Sequence, residues 1–420
     1  MMRVAIATDA WHPQVNGVVR TLTSLAKAAA KLGTDLEFVT PEKFPSVSLP
    51  TYAKIRLALP NRSEIARRIE RIQPDAIHIA TEGPIGIAVR AYCLRRELPF
   101  TTSFTTRFPE YISARYPIPE SWSYAALRRF HAPAAVTMVS TPSLTSELRQ
   151  RGFGHLGMWT RGVDTDMFAP NHRIQLGLPR PIFLTAGRVA IEKNLEAFLS
   201  LELPGSKVIV GEGPQETELR RRFPDAVFLG LRSGTELAGA IAAADVFVFP
   251  SLTDTFGVVQ LEALACGVPV AAFPVTGPRD VIGDRPIGAL SDDLRAACLD
   301  ALSVSRERCR AFALTHSWET SARQFNSHLQ PARAVNPAMV AQTRGSACGG
   351  LAQHLPPYQR ELYRGKSWRN GKTSRRQRLR RPMTAGHRFT TSSLARCSSV
   401  GAVLRSLLRS VSADAFSKSE

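Results

Sequence analysis

Six cysteines in 420 residues, none in a close Cys-x-x-Cys pair, give this chain neither the spacing of a disulfide scaffold nor that of a zinc cluster. Reduced thiols are the expectation for Cys93, Cys266, Cys298, Cys309, Cys348 and Cys397. No segment approaches the ~18 uninterrupted apolar residues that a membrane-spanning helix needs. The N-terminus, Met1-Met2-Arg3-Val4-Ala5-Ile6, runs straight into a strand pattern, which is not the layout of a signal peptide. A cytoplasmic protein is expected. Acidic residues are also in short supply, with 35 Asp and Glu against 54 Lys and Arg. That imbalance resembles a nucleic-acid signal until it is divided along the chain. Residues 331–420 hold 17 basic and 3 acidic side chains, which leaves the first 330 residues with a net charge of about +5. No nucleic-acid partner is expected of the core.

What is present is alternation. Strand-like segments at 3–10, 35–40, 75–80, 100–104 and 135–141 are separated by helical patterns at 18–32, 62–72, 85–97, 120–131 and 142–151, with a Pro-rich loop over 41–60. A second series starts at Ile182-Phe183-Leu184-Thr185-Ala186 and continues with strands near 207–211, 226–230, 245–250 and 268–273. The rhythm predicts an α/β protein with two Rossmann-like, doubly wound domains facing a cleft, since single cores rarely exceed ~250–300 residues. The expected boundaries are 1–165 for the N-terminal domain, 166–315 for the C-terminal domain and 316–330 for a helix packing back toward the first. Residues 331–420 are expected to be a disordered basic tail, with Arg375-Arg376-Gln377-Arg378-Leu379-Arg380-Arg381 at its centre. Leu394, Leu404, Leu407 and Leu408, set among Arg396, Arg405 and Arg409, make a basic amphipathic pattern suited to an anionic membrane surface.

The most informative stretch runs from Phe249 to Gly267. The apolar run Val246-Phe247-Val248-Phe249 reads as a buried parallel strand, and Thr253 to Gly257 as a turn opening a helix with Val258, Leu261, Leu264 and Ala265 on its apolar face. Ligands of open α/β sheets sit beyond the carboxyl ends of the strands, where helix N-termini favour anions. Asp254 in the turn and Glu262 on the helix are then placed to bind hydroxyls, although Asp254 is equally suited to capping that helix. Arg188 and Lys193, just past another strand end, can neutralise a diphosphate. Gly17 opens a helix where backbone N–H groups can approach a phosphate closely.

Together these segments resemble the retaining family-4 glycosyltransferases of GT-B fold, in particular the lipid-directed and GDP-mannose-dependent α-mannosyltransferases. The stretch around Asp254 and Glu262 is similar to the family's E-x7-E motif, with Asp in the first position. Gly187-Arg188-Val189-Ala190-Ile191-Glu192-Lys193-Asn194 resembles its donor-phosphate segment, Gly211-Glu212-Gly213-Pro214 its GxGP turn, and Arg161-Gly162-Val163-Asp164-Thr165-Asp166-Met167-Phe168 its interdomain sequence. Asn16-Gly17-Val18 stands where the family keeps a glycine loop.

The resemblance covers about residues 3–330 and implies transfer of a hexose from a nucleotide-diphosphate sugar, GDP-mannose or a UDP-sugar, to an acceptor hydroxyl on a lipid or lipid-linked glycan. It implies Asp254, Arg188, Lys193 and Thr105 as catalytic-site residues. Gly17, Arg188, Lys193, Gly211, Gly213, Pro214, Asp254, Thr255, Phe256, Gly257, Val258 and Glu262 are the implied donor-binding residues. It also implies no metal and no cofactor, the basic pair taking the cation's place, so Asp164-Thr165-Asp166 in the linker is not read as a metal motif.

One departure stands out. In Ser103-Phe104-Thr105-Thr106-Arg107-Phe108-Pro109, Thr105 occupies the place of a family histidine, and a threonine cannot act as a general base near neutral pH. Thr105, Thr106 or Arg107 is expected to contact donor or acceptor instead. His12 and His78 are further candidates on strand-end loops, as is Glu82 for acceptor hydroxyls, while a lone histidine is more often structural. Arg67, Arg68 and Arg71 on one helix suit peripheral contact with an anionic membrane, and a solvated face accounts for them equally. A nucleotide-sugar epimerase of the same architecture, or a non-catalytic sugar or nucleic-acid binder, remains the alternative. Deleting residues 331–420 is expected to leave nucleotide-sugar binding intact. A thermal-shift comparison of truncated and full-length chains against GDP-mannose, UDP-glucose, UDP-galactose and UDP-glucuronate checks this.

Overall fold

The computed structural model describes residues 1–14, 16–49, 52–114 and 117–332, so the expectations for the basic tail beyond residue 332 lie outside the described residues. The first half runs β1 Met2–Ala7, α1 Gly17–Lys31, β2 Thr34–Val39, β3 Ser46–Leu49, β4 Tyr52–Ala58, α2 Arg62–Ile72, β5 Ala76–Ile79 and α3 Pro84–Arg95. It continues with β6 Thr101–Phe104, α4 Phe108–Ser113, α5 Glu120–His131, β7 Val136–Val139, α6 Pro142–Gln150 and β8 Leu156–Met158. The second half runs β9 Ile182–Ala186, α7 Leu195–Leu199, β10 Ser206–Val210, α8 Glu216–Arg222, β11 Val227–Phe228, α9 Gly234–Ala243, β12 Val246–Phe249 and α10 Val258–Ala265. It closes with β13 Val270–Ala272, α11 Pro278–Val281, β14 Gly288–Leu290, α12 Leu294–Ala301, α13 Arg306–Leu314 and α14 Trp318–His328.

Two six-stranded sheets result, ordered β2-β1-β5-β6-β7-β8 and β11-β10-β9-β12-β13-β14, with every neighbouring pair parallel. The strands are short and apolar because both faces of each sheet are covered by helices. Strand β12 is buried throughout. In each sheet the chain order reverses once, between β1 and β5 and between β9 and β12, and such a reversal opens a crevice at the carboxyl ends of the strands. Caps fix where helices begin: the Asn16 side chain accepts from Val18 and Val19, that of Asn61 from Ser63 and Glu64, and that of Ser317 from Thr320.

Five elements differ from the sequence reading. Residues 41–60 hold the antiparallel pair β3 and β4, with Ser46 opposite Ala58, where a Pro-rich loop was expected. The short strands β8 and β14 extend each sheet by an edge, and helix α4 follows Arg107. Elements of three to seven residues are too short for periodicity alone to separate strand, helix and loop.

Helix α14 packs against α1 of the first half. Phe325 and Ala322 are fully buried with Leu22, Leu25, Met138 and Trp159. Trp159 Nε1 donates to Ser321 Oγ at 3.0 Å, Asn326 Nδ2 to Thr34 Oγ1 at 2.9 Å, and the Thr160 amide to Gln324 Oε1 at 2.9 Å. Ordered contacts extend to Ala332, whose amide donates to the Asp75 carbonyl at 2.6 Å. Among the described residues no helix is long and apolar enough to cross a membrane. Phe325→Ala is expected to cost about 3–5 kcal/mol by emptying this contact. Urea denaturation followed by intrinsic fluorescence measures the loss.

Candidate functional site

The crevice between β9 and β12 is lined by two loops that the sequence reading singled out, and the structure binds them to each other. After β9 come Gly187 to Asn194, and after β12 come Pro250 to Gly257. Lys193 Nζ donates to both carboxylate oxygens of Asp254, at 2.8 and 2.7 Å. Asn194 Nδ2 donates to the Pro250 carbonyl at 3.1 Å, and Ser251 Oγ to the Glu192 carbonyl at 3.0 Å. Arg188 lies 3.5 Å from Glu192, whose side chain is almost fully buried. Two cations and two carboxylates therefore share one strand-end crevice, where the low dielectric strengthens each interaction. Asp254 does not cap α10. The N-cap there is Gly257, with φ +77°, and no side chain caps it.

Gly211 and Gly213 have a packing role that the sequence reading did not assign. A Cβ on Gly211 would lie 1.9 Å from the Gly187 carbonyl oxygen, and one on Gly213 2.2 Å from that of Val189. Backbone bonds from Val189 to Glu212 and from Gln215 to Val189 lock this turn, with Pro214 exposed at its tip, against the Arg188 loop. These glycines hold the cation-bearing loop in place through close backbone approach.

Glu262 sits on α10, one turn past its start. It is 3% exposed, and burial raises its pKa while the Arg20 guanidinium opposes the rise. Arg20 comes from α1, in the first half, and makes an ion pair with Glu262 Oε1. The other carboxylate oxygen, Oε2, is buried without a hydrogen-bond partner. Phe256 is buried and Val258 packs against the same core. Thr255 bridges the halves: its hydroxyl donates to the Thr105 carbonyl at 2.9 Å, and its carbonyl accepts from Ser140 Oγ at 3.0 Å. Nearby, Asp280 accepts from the Ser143 amide at 2.9 Å and from its hydroxyl.

On the first half's side the candidates divide. Thr105 reaches the crevice through its carbonyl, and its hydroxyl lies 3.5 Å from the Ala80 carbonyl. Gly17 opens α1, with nothing within 4 Å of where a Cβ would stand, but it follows a loop of several residues after β1 and does not end that strand. Arg107 is not free for a ligand. It is buried and donates to Glu110 at 2.6 Å and to Glu147 at 2.6 Å, the acids its charge is needed to offset. His78 is structural: fully buried, within hydrogen-bond distance of Thr101 and Ser103, and pushed down by desolvation to about 3. His12 is exposed, against Trp11. Glu82 is buried, with Oε1 3.2 Å from His131 Nε2 and Oε2 without a partner. Arg68 is tied back to Glu64 and lies over the Phe44 ring, leaving Arg67 and Arg71 exposed.

Asp164 is occupied locally, its Oδ1 accepting from the Asp166 and Met167 amides at 3.2 and 3.0 Å. Among the described residues no group of three or more His, Cys, Asp or Glu is placed to hold a metal ion.

Four residues escaped the sequence reading. Arg20 lies three positions after Gly17 and so shares its helix face, which is a usable signal. Glu192 lay unassigned inside the donor-phosphate segment. Tyr111 is brought to the crevice by α4: its phenol is raised first by burial, then by the Asp254 and Glu192 carboxylates, with Arg188 opposing. Its sequence signal is the Phe108-Pro109 helix start directly after Arg107, where Pro109 sits in the first turn. Asp9 also went unremarked. It accepts from the Ile85 and Gly86 amides at 2.8 and 3.3 Å, caps α3 from another element, and is raised to about 6 chiefly by burial.

The family model described as Glycosyltransferase Family 4 matches residues 15–167, and that described as Glycosyl transferases group 1 matches residues 180–303. A GDP-mannose-dependent alpha-mannosyltransferase of Mycobacterium tuberculosis is 31% identical over 378 residues, covering 81% of this chain and 99% of the relative. The alpha-monoglucosyldiacylglycerol synthase of Streptococcus pneumoniae is 24% identical over 372 residues, 78% of this chain and 84% of that one. In fold, the chain is similar to sucrose-phosphate synthase from Thermosynechococcus elongatus, with TM-score 0.64 at 20% identity over 83% of this chain and all of the other. It is also similar to HepE of Anabaena in complex with UDP and glucose, with TM-score 0.59 at 15% identity over 78% and 99% of the two chains. Two parallel Rossmann-like sheets, charged strand-end loops and matched family segments in both halves lead to one assignment: this chain belongs to the family-4 glycosyltransferases of GT-B fold and is a glycosyltransferase.

Proposed function

We propose that the protein transfers a hexose, with retention of anomeric configuration, from a nucleotide-diphosphate sugar to a hydroxyl of a lipid or lipid-linked glycan. The observation that carries this reading is Lys193 held by both oxygens of Asp254 beside Arg188 at the β9/β12 reversal. A diphosphate entering there offers Lys193 a stronger anionic partner, and the exchange frees Asp254 to accept hydrogen bonds from the sugar's hydroxyls. Arg188 and Lys193 then balance the charge that develops on the departing phosphate. The acceptor oxygen attacks the anomeric carbon from the leaving group's own face as the bond from that carbon to the phosphate oxygen breaks. Its electron pair stays on the phosphate, which takes the acceptor's proton. This course assigns no base role to Thr105. Residues of the first half, Thr105 and Tyr111, complete the site from the acceptor side, and their contact with the second half keeps water from the donor.

The donor choice, GDP-mannose or a UDP-sugar, is supported by relatives named GDP-mannose-dependent alpha-mannosyltransferases and by a fold neighbour holding UDP. The lipid acceptor is supported by the relative named alpha-monoglucosyldiacylglycerol synthase. Peripheral contact with an anionic membrane through the exposed Arg67 and Arg71 is part of the same reading.

Lys193→Met and Asp254→Asn are each expected to lower kcat by about 10²–10³-fold. Nucleoside diphosphate release coupled to addition of a lipid acceptor measures this, and epimerised donor formed without any acceptor would overturn the transferase reading. Transfer is expected to persist in excess EDTA, because two fixed cations carry the diphosphate charge. Loss of turnover restored by magnesium would refute that assignment.

A further inference from the structure

Arg20 reaches Glu262 from the opposite half of the molecule, and no described carboxylate other than Glu262 is ion-paired with it. Its side chain is 37% exposed, whereas that of Glu262 is 4% exposed, so the pair joins a half-solvated arm to a buried acid. The arm is also steered by the buried Phe168 ring, whose centroid lies 5.7 Å from the guanidinium carbon. On the Glu262 side, Oε1 is taken by Arg20 while Oε2 is buried and unpartnered. An unpaired buried carboxylate oxygen is costly to keep, and it calls for a hydrogen-bond donor from outside the chain.

We propose that Arg20 is a positioning residue for ribose recognition: it fixes the Glu262 carboxylate across the cleft with Oε1 turned to the guanidinium and Oε2 left to accept a hydroxyl of the donor's ribose. This rests on the nucleotide-sugar reading above. Arg20 and Gly17 are three residues apart on one helix face, so the face that supports the ribose end also carries the open backbone position near which the phosphates are expected. Recognition of the nucleotide thus needs both halves of the protein, through a guanidinium that never touches the nucleotide.

Few other ionisable groups compete for this role. On the elements packed against α10, β12 and β13 carry none. Glu236 of α9 is exposed, and Asp280 of α11 is tied to Ser143 beside Arg279. Arg310 of α13 is spent on the carbonyls of Phe168, Ala265 and Thr165, and Arg306 on those of Ala244 and Ala242. The thiol of Cys266, at the end of α10, is pushed up to about 12 and stays neutral. Without Arg20, burial acts on Glu262 unopposed. The carboxyl then holds its proton to higher pH, and the neutral acid is a weaker acceptor for a ribose hydroxyl than the carboxylate.

The test is calorimetric titration of the full-length protein with GDP and UDP, each beside its 2′,3′-dideoxy counterpart, from pH 6 to 8.5. The unaltered protein is expected to bind one of the two nucleotides with little pH dependence and to prefer ribose over dideoxyribose. Arg20→Met is expected to bind that nucleotide about tenfold more weakly at pH 6, to recover as pH rises, and to lose most of the ribose preference at low pH. Arg20→Lys should restore most of both, and in a Glu262→Gln background Arg20→Met should add no further loss. Full affinity with an unchanged pH profile in Arg20→Met would overturn the proposal, as would tighter binding at every pH, which would make Arg20 a competitor of the ribose. A uniform loss that Arg20→Lys does not rescue would reduce Arg20 to a structural role. Absence of nucleotide binding by the unaltered protein would remove the transferase reading itself, a distinguishable failure.

Discussion

Everything at the candidate site depends on a lysine held by both oxygens of one carboxylate at the point where the second sheet reverses its order. The pair links the loop after β9 to the loop after β12, and the bonds from Asn194 to Pro250 and from Ser251 to Glu192 repeat that link on either side. Both side chains are partly buried, Lys193 at 24% and Asp254 at 16% exposure, so each is kept at lower cost beside the other. The arrangement solves the folding problem of two charged loops and leaves a ready exchange of partners for an anionic ligand. Glycines behind it make the approach possible, because Gly211 and Gly213 permit backbones to touch where any side chain would collide.

The two reversal points of the protein are built differently. In the first sheet the space after β1 is filled by the protein itself: Asp9 caps α3, bonds to Thr81, and forbids a side chain on Gly83, where a Cβ would lie 2.4 Å from the carboxyl carbon. In the second sheet the equivalent space is closed by a mobile-stemmed lysine and an acid, both of which can turn to other partners. That difference in chemistry, more than any difference in fold, is the ground on which the second half is proposed as the donor side.

Much of this was legible in the sequence, and what was not has a physical cause. The sheets and the main helices follow from apolar periodicity, and Asp254, Lys193, Arg188 and Glu262 follow from their places after strands or on the helix that comes next. What periodicity cannot show is which polar residue faces which. Arg107 read as a ligand contact because it stands beside Thr105, yet Glu110 and Glu147 neutralise it, and Glu147 lies forty residues away. Tyr111 and Arg20 were passed over for the converse reason: each gains its meaning from a partner in the other half of the chain. His78, flanked by isoleucines on β5, sits at the centre of a buried polar cluster that only the sheet's order brings together.

The chain crosses between the two halves twice, once after β8 and once before α14, and the crossings lie against each other. Val163 donates to the His316 carbonyl at 2.9 Å, and a Cβ on Gly162 would strike the Trp318 amide nitrogen at 2.4 Å. Two passages of chain fastened side by side make one compact junction, with no room for a side chain on Gly162 between them. Thr105 meets Thr255 and Arg20 meets Glu262 on elements joined through that one junction, so both contacts depend on the same two passages of chain.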